Sequence, residues 1–424
     1  MKTPRLAALA AIVLVVSTGC GSAGTPGVDL AAAKMPRAAA DPAGAKDAAK
    51  ALDALGVDLY RKIATGDGNV VYSPASVALA LSMARAGAKG QTAARMDTVM
   101  HGMASDGHAA WANALDAALA SRNGTFKDAS GTDQPVTLRI ANAPFAQRDM
   151  TLVPAYLDAL ALRFGAGLRL VDYKKDPEAA RQAIDAWVND QTEKRIPELL
   201  AKGDLDTMTR LVLVNAIYMK AAWQVPFEAG LTAAGSFTKT DGSTIQVPMM
   251  SNSGAFPYAE GNGWKAVELP YVGGELAMDI VLPDNLAKFE TSLDGGALAT
   301  IAGALTTHEV ELKMPKFGIE TRAGLADALA ALGMPDAFDP FKADFSGMTT
   351  QEQLYIAKVI HQANIDVDEN GTTAAAATAI TMRASALPVD QVTFHVDRPF
   401  LFLVRDVPTG AILFMGRVTE PATR

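Results

Sequence analysis

Residues 211–220, Leu211-Val212-Leu213-Val214-Asn215-Ala216-Ile217-Tyr218-Met219-Lys220, form a near-continuous apolar run. A half-buried strand would alternate apolar and polar residues; a run without alternation reads as a strand covered on both faces. Such a strand needs a large core around it. With 424 residues, 49% of them hydrophobic, the chain can supply one, as a single large domain or two to three ordinary ones. The one cysteine is Cys20, so the body has no disulfide and no Cys-based metal site, and packing alone must hold it. The net charge of −8 and the lack of any Lys/Arg-rich block argue against nucleic acid or heparin-like polyanions as partners.

Helices and strands around this run do not alternate in the βαβ manner. Leu52, Leu55, Leu59 and Ile63 are spaced for a helix over 48–64, closed by the turn Gly66-Asp67-Gly68-Asn69. Val70-Val71-Tyr72 reads as a short strand. A second helix follows to Arg85, with Ser73 as its cap and Pro74 in its first turn. Residues 121–134, rich in Gly, Ser and Asp, read as an exposed loop. Strands are expected over 136–145, 235–250, 264–270, 276–283 and 310–319, and helices over 154–164, 177–192 and up to Leu332-Gly333. No internal repeat is visible. Helices followed by many strands favour the α+β class over a nucleotide-binding fold.

The first residues carry a targeting signature. Lys2 and Arg5 precede the apolar run Leu6 to Val16, which is too short to span a bilayer but suits a signal peptide. Ser17-Thr18-Gly19-Cys20 then looks like a bacterial lipobox, although Ser17 stands where Leu is usual. The expectation is a signal peptide over 1–20 with Cys20 as the lipidated residue, giving a cell-envelope lipoprotein touching the membrane only through that anchor; ordinary secretion is the alternative. Residues 21–46, rich in Gly, Ala and Pro, read as a flexible tether.

Enzymatic motifs are missing. There is no G-x-S-x-G, H-E-x-x-H or G-x-x-x-x-G-K, and no strand-coupled G-x-G-x-x-G. The histidines show no metal-ligand spacing beyond a loose His101/His108 pair, which reads as a surface pair. No enzyme, metal or cofactor is expected.

The stretch from Asp366 to Met382 is more distinctive. Its four alanines, Ala374 to Ala377, suit a helix. Read with a period of two, the same residues give one face of Thr372, Ala374, Ala376, Thr378, Ile380 and Met382, and another of Thr373, Ala375, Ala377, Ala379, Thr381 and Arg383. Both readings stand. The side chains are small enough to slip between packed neighbours, and Gly371 ahead of them permits an unusual backbone angle.

Glu369-Asn370-Gly371-Thr372-Thr373-Ala374-Ala375-Ala376-Ala377-Thr378-Ala379 resembles the reactive-loop hinge of the serpins. Further blocks occur in the family's order: Ser73-Pro74-Ala75-Ser76, the 213–220 part of the apolar run, Val247-Pro248-Met249-Met250, Val267-Glu268-Leu269-Pro270-Tyr271, Met314-Pro315-Lys316-Phe317, Phe345-Ser346-Gly347-Met348, and the closing strands from Asp397 to Val418. The resemblance runs from about Ala48 to Pro421. It implies a serpin domain over 47–424: a large mixed central sheet, two smaller sheets, eight or nine helices, and an exposed reactive loop over about 369–392. The implied function is suicide inhibition of serine proteases, with cysteine proteases also possible targets, by a monomer. A protease cleaves the loop, is held as an acyl-enzyme, and is disabled as the loop enters the sheet. About thirteen inserted residues would span about 43 Å. The uncharged face starting at Thr372 favours an inhibitor over the alternative, a non-inhibitory serpin-fold binding or chaperone-like protein. Thr373 departs from the family's usual Glu, and Asn370 from a charged residue.

The resemblance also carries over site residues. Ser73, Ser76, Asn215 and His361 match the family's shutter beneath the opening strands. Lys316, Glu369 and Trp223 match its breach at the top of the sheet. The hinge is Glu369, Gly371, Thr372, Thr373, Ala374, Ala375, Ala376, Ala377 and Thr378. Counting seventeen residues with Glu369 as the first reaches Ser385, so the scissile bond falls at Ser385–Ala386, suiting an elastase-like or subtilisin-like protease. A shift of two puts it at Arg383–Ala384 for a trypsin-like enzyme, and Leu387 would suit a chymotrypsin-like one.

Overall fold

The apolar run becomes the strand Leu211–Ala222, in which only Lys220 is not fully buried. The structure, a computed structural model, describes residues 25–102, 105–372 and 391–422; the tetra-alanine stretch, both candidate scissile bonds and Cys20 lie outside them. The large sheet has the order Asp29–Ala31, Leu168–Val171, Asp133–Gln147, Leu211–Ala222, Gly371–Thr372, Lys358–Asp368, Phe317–Gly324, with Gly124–Lys127 beside Asp133–Gln147. It is mixed: Lys358–Asp368 runs parallel to Leu211–Ala222, and Asp133–Gln147 antiparallel to it.

A second, nine-stranded hydrogen-bonded path holds the remaining strands. Its two parts meet in the long strand Thr244–Gly261, which pairs in turn with Ala233–Thr238, Thr306–Pro315 and Trp264–Pro270. The helix Pro74–Arg85 is buried along nearly its whole length, and Ser73 caps it by accepting a hydrogen bond from the Ser76 N–H. The helix Pro177–Gln191 contributes Ile184, Trp187 and Val188 to a second apolar cluster with Val212, Val214 and Ala216. Both faces of the central strand are thereby covered, as its composition demands. The described residues hold nine α-helices. The architecture is α+β, as expected.

Four expectations are corrected. Over its described part, the segment 21–46 is not a tether. Asp29–Ala31 pairs with Leu168–Val171, Arg37 donates to Asn113 and pairs with Asp116 at 2.7 Å, and the first helix begins at Pro42 with Asp41 as its cap. Small-residue composition suggested flexibility, but the segment is held tightly against a partner: a Cβ on Gly167, just before that partner strand, would stand 2.6 Å from the Ala31 carbonyl. Residues 121–134 are not all loop, since Gly124–Lys127 and Asp133–Gln147 form a hairpin. The strand expected over 235–250 is two, Ala233–Thr238 and Thr244–Gly261, paired across a turn, and the strand expected over 310–319 is likewise two. Thr306–Pro315 ends in the second sheet, and Phe317–Gly324 begins in the large one. Lys316 sits at this change of sheet, and its N–H donates to the Pro248 carbonyl.

Candidate functional site

At its upper end, the large sheet is wedged by two residues of the hinge. Gly371 and Thr372 lie opposite Ala222 and Ala221 on one side, and opposite Asp368 and Val367 on the other, antiparallel to both strands. Below the wedge, the same strands pair directly in parallel, from Lys358 with Val212 to Ala363 with Ile217. The sheet is therefore a closed seam with a strand started at its top. Gly371 is required there: its φ of +150° is unusual for an L residue, and a Cβ would lie 2.2 Å from the Ala221 carbonyl oxygen. Thr372 is buried, and its hydroxyl is 2.5 Å from that of Tyr271.

Around the wedge lie Lys316, Glu369 and Trp223, the residues matched to the breach. Lys316 Nζ lies 2.5 Å from Glu369 Oε1, which also accepts from the Thr232 hydroxyl at 2.7 Å. Burial acts to raise the Glu369 carboxyl, but the hydrogen bonds from Lys316 and Thr232 outweigh it and hold the group below its ordinary range. The Trp223 indole N–H donates to the Asp368 carbonyl at 3.0 Å, its ring stacks on Tyr271 at 4.5 Å, and its backbone N–H donates to the Asn370 carbonyl. Trp223 thus fixes the turn from which the loop departs. Tyr271 and Thr232 were not singled out from sequence. Tyr271 lay in a recognised block without a role, and nothing marked Thr232.

Of the residues matched to the shutter, Ser73, Asn215 and His361 are joined at the seam. His361 and Asn215 are register partners across it. His361 Nε2 accepts from the Ser73 N–H at 3.0 Å, so its Nδ1–H donates to Asn215 Oδ1. Complete burial pushes the imidazole down to about 3 and keeps it neutral. Among the described residues, the buried Asn215 Nδ2 has no hydrogen-bond partner. Ser76 does not touch His361. Its hydroxyl donates to Asn142 Oδ1 at 2.9 Å, and Asn142 returns a bond to the Ser76 carbonyl at 3.0 Å. Asn142 is the cross-strand partner of Asn215 and completes the row. Its signal was available, as a lone amide inside the apolar stretch Ile140-Ala141-Asn142-Ala143.

No three His, Cys, Asp or Glu side chains among the described residues are grouped to hold a metal. His101 pairs with Asp58 at 2.6 Å. The site is a large mixed sheet with a seam, a wedge and a buried polar row. A family model, Serpin (serine protease inhibitor), matches residues 50–421. An uncharacterized serpin-like protein of Thermococcus kodakarensis is 38% identical over 380 residues, covering 89% of this chain and 86% of the relative. The leukocyte elastase inhibitor of Bos taurus is 38% identical over 379 residues, covering 86% and 97%; plasminogen activator inhibitor 1 of Bos taurus is 35% identical over 384 residues, covering 87% and 91%. Among solved structures, the thermophilic serpin tengpin in its native state superposes with a TM-score of 0.80 at 25% identity, covering 92% of this chain and 97% of that one. Native protease nexin-1 with heparin gives 0.77 at 28%, covering 90% and 100%. The chain belongs to the serpin family, and its relatives support protease inhibition as its activity.

Proposed function

We propose that this protein inhibits serine proteases by a suicide route: cleavage of the reactive loop, trapping of the acyl-enzyme, and insertion of the loop into the seam. The observation that carries this reading is the Gly371–Thr372 wedge. Its register extends without a slip. From Ala376 onward, each loop residue would fall between two residues that now face each other, until Thr381 reaches Lys358 and Val212. The inserted strand would then be Gly371 to Thr381, shorter than the thirteen residues first expected, because the partner strand Lys358–Asp368 has eleven. Thr378 would enter between His361 and Asn215, on the face that Thr372 already occupies, and its hydroxyl would accept from the unpartnered Asn215 Nδ2. Ala374 and Ala376 would cross that face without steric cost.

On this reading, the bond attacked is Ser385–Ala386 and the target elastase-like or subtilisin-like, with Arg383–Ala384 and a trypsin-like target second. Support for the former comes from the spacing from Glu369 and from the relatives whose names specify elastase inhibition. Export, with Cys20 as a lipid anchor, is proposed from the N-terminal signature alone. No helix among the described residues is long and apolar enough to cross a membrane.

The test is to mix the purified protein with pancreatic elastase, subtilisin, trypsin and chymotrypsin, and to run denaturing gels. The expected result is a denaturant-resistant complex and a released peptide beginning at Ala386. A peptide beginning at Ala384 moves the bond to Arg383. Clean cleavage by every enzyme, without any complex and without a gain in thermal stability, would support the non-inhibitory alternative and end the proposal.

A further inference from the structure

Away from the large sheet, three carboxyl groups gather around one guanidinium. Glu268 on Trp264–Pro270 is the register partner of Asp279 on Leu276–Pro283. On the other side of Asp279 stands Leu403, and Arg405 lies two residues further along the same strand, Phe400–Asp406. Arg405 Nε donates to Asp279 Oδ2 at 2.8 Å, and its Nη2 pairs with Glu268. The third carboxyl comes from the first helix, Pro42–Ile63. Asp53 Oδ1 accepts from the Ile412 N–H at 3.1 Å, where the pairing of Phe400–Asp406 with Ile412–Val418 shifts register. Asp279 is fully buried, and among the described residues its Oδ1 has no hydrogen-bond partner.

The surroundings of the cluster are poor in charge. The helix Gly295–Ala304, whose Gly295 packs on the backbone of Asp53 and Ala54, has no charged side chain. Tyr72, near Asp53, donates its hydroxyl to the Gly56 carbonyl. Other basic groups on or against the first helix are engaged elsewhere: Arg417 with Glu290, His101 with Asp58, Arg85 with Asp97 and Arg61 with the Leu293 carbonyl. With all three carboxyls ionised, the cluster would carry two net negative charges at a buried site, which is costly. Burial raises Asp279; Arg405 opposes the rise and Glu268 adds to it. Burial likewise pushes the Asp53 carboxyl up to about 7, against the Ile412 N–H and Arg405.

We propose that Asp279, Glu268 and Asp53 hold a shared proton around Arg405, and that its loss to solvent in alkaline surroundings loosens the first helix from the second sheet. With the proton in place the cluster carries one net negative charge, and without it two. A carboxyl raised by folding keeps its proton where the unfolded chain has lost it. Its contribution to stability is therefore complete below the ordinary value near 4 and disappears as pH climbs through about 7. The uncleaved protein is thus held tightest in mildly acidic surroundings. None of the four residues lies in the large sheet, so the proposal stands apart from loop insertion.

The test melts the full chain, Asp279→Asn and Asp53→Asn by calorimetry from pH 5.5 to 8.5. Asparagine keeps the acceptor oxygen and the shape of the protonated acid but has no proton to lose. His361, whose effect on the profile has the opposite sign, is the same in all three proteins and cancels in the comparison. Wild type should lose about 3 °C relative to Asp279→Asn across that range, with a shift of the same sign against Asp53→Asn. Amide exchange at 50–56 and 412–414, corrected for the intrinsic effect of pH, should rise several-fold over the same range in wild type alone. Parallel melting profiles, or exchange that rises equally in all three proteins, would overturn the proposal. If the variants fail to fold, infrared spectra of wild type decide: a protonated-carboxyl band present at pH 6 and faded by pH 8.5 supports the shared proton, and a band absent at pH 6 or unchanged at pH 8.5 refutes it.

Discussion

His361 joins the two strands of the seam through chemistry that only a neutral imidazole supplies, one nitrogen accepting from Ser73 and the other donating to Asn215. Its folded value of about 3 lies below the ordinary 6.5. Between those values the unfolded chain takes up a proton that the folded protein refuses. Its contribution is therefore complete above about pH 6.5 and declines as pH falls towards 3, at about 1.4 kcal/mol per pH unit. His361→Phe should flatten that part of the profile, while leaving the Ser73 N–H and Asn215 amide unpaired at a cost of about 2 kcal/mol or more at pH 7. Denaturant unfolding at pH 7 and pH 5 reads both effects; an unchanged slope would remove His361 as their source. Ser73, Ser76, Asn215 and His361 were named from sequence only through the family resemblance. Asn142, a lone amide in an apolar stretch, was passed over, since only the antiparallel register puts it beside Asn215.

Elements were legible where periodicity alone decides them. The strand Leu211–Ala222 and the helices Pro74–Arg85 and Pro177–Gln191 lie where their patterns put them. Apart from the local hairpins of Gly124–Lys127 with Asp133–Gln147 and of Ala233–Thr238 with Thr244–Gly261, the failures are segments whose structure depends on a distant partner. Residues 310–319 look like one strand because both halves are apolar enough, yet the chain leaves one sheet and joins another at Lys316. The segment 25–41 has no periodic pattern, yet Asp29–Ala31 adds an edge strand, Arg148 pairs with Asp29 at 2.7 Å, and Arg37 reaches Asn113 and Asp116. Deleting residues through Ala38 should therefore lower the melting temperature of the uncleaved protein by several degrees, corresponding to about 1–2 kcal/mol in an ion pair and edge-strand hydrogen bonds. A differential scanning experiment with an unchanged melting temperature would restore the tether.

At the scale of the molecule, two opposed features coexist: a sheet zipped along its lower half and a strand begun at its top. Insertion of Thr373 to Thr381 would exchange one strand interface for two, adding backbone hydrogen bonds at about 1 kcal/mol net each and a total on the order of 10 kcal/mol. Cleaving the loop should accordingly raise the melting temperature by tens of degrees, and calorimetry of cleaved against intact protein would show it; equal melting temperatures would mean the sheet does not accept the loop. Sequence alone determined the class and the central strand, which follow from local pattern, while its resemblance to the serpins named Ser73, Asn215, His361, Lys316, Glu369 and Trp223. The tertiary structure decided that Lys316 meets Glu369, that Gly371 must lack a Cβ, that residues 25–41 are fastened, and that Glu268 and Asp279 share Arg405. Each depends on strand register or on contact between segments far apart in the chain, and neither composition nor period encodes those distances.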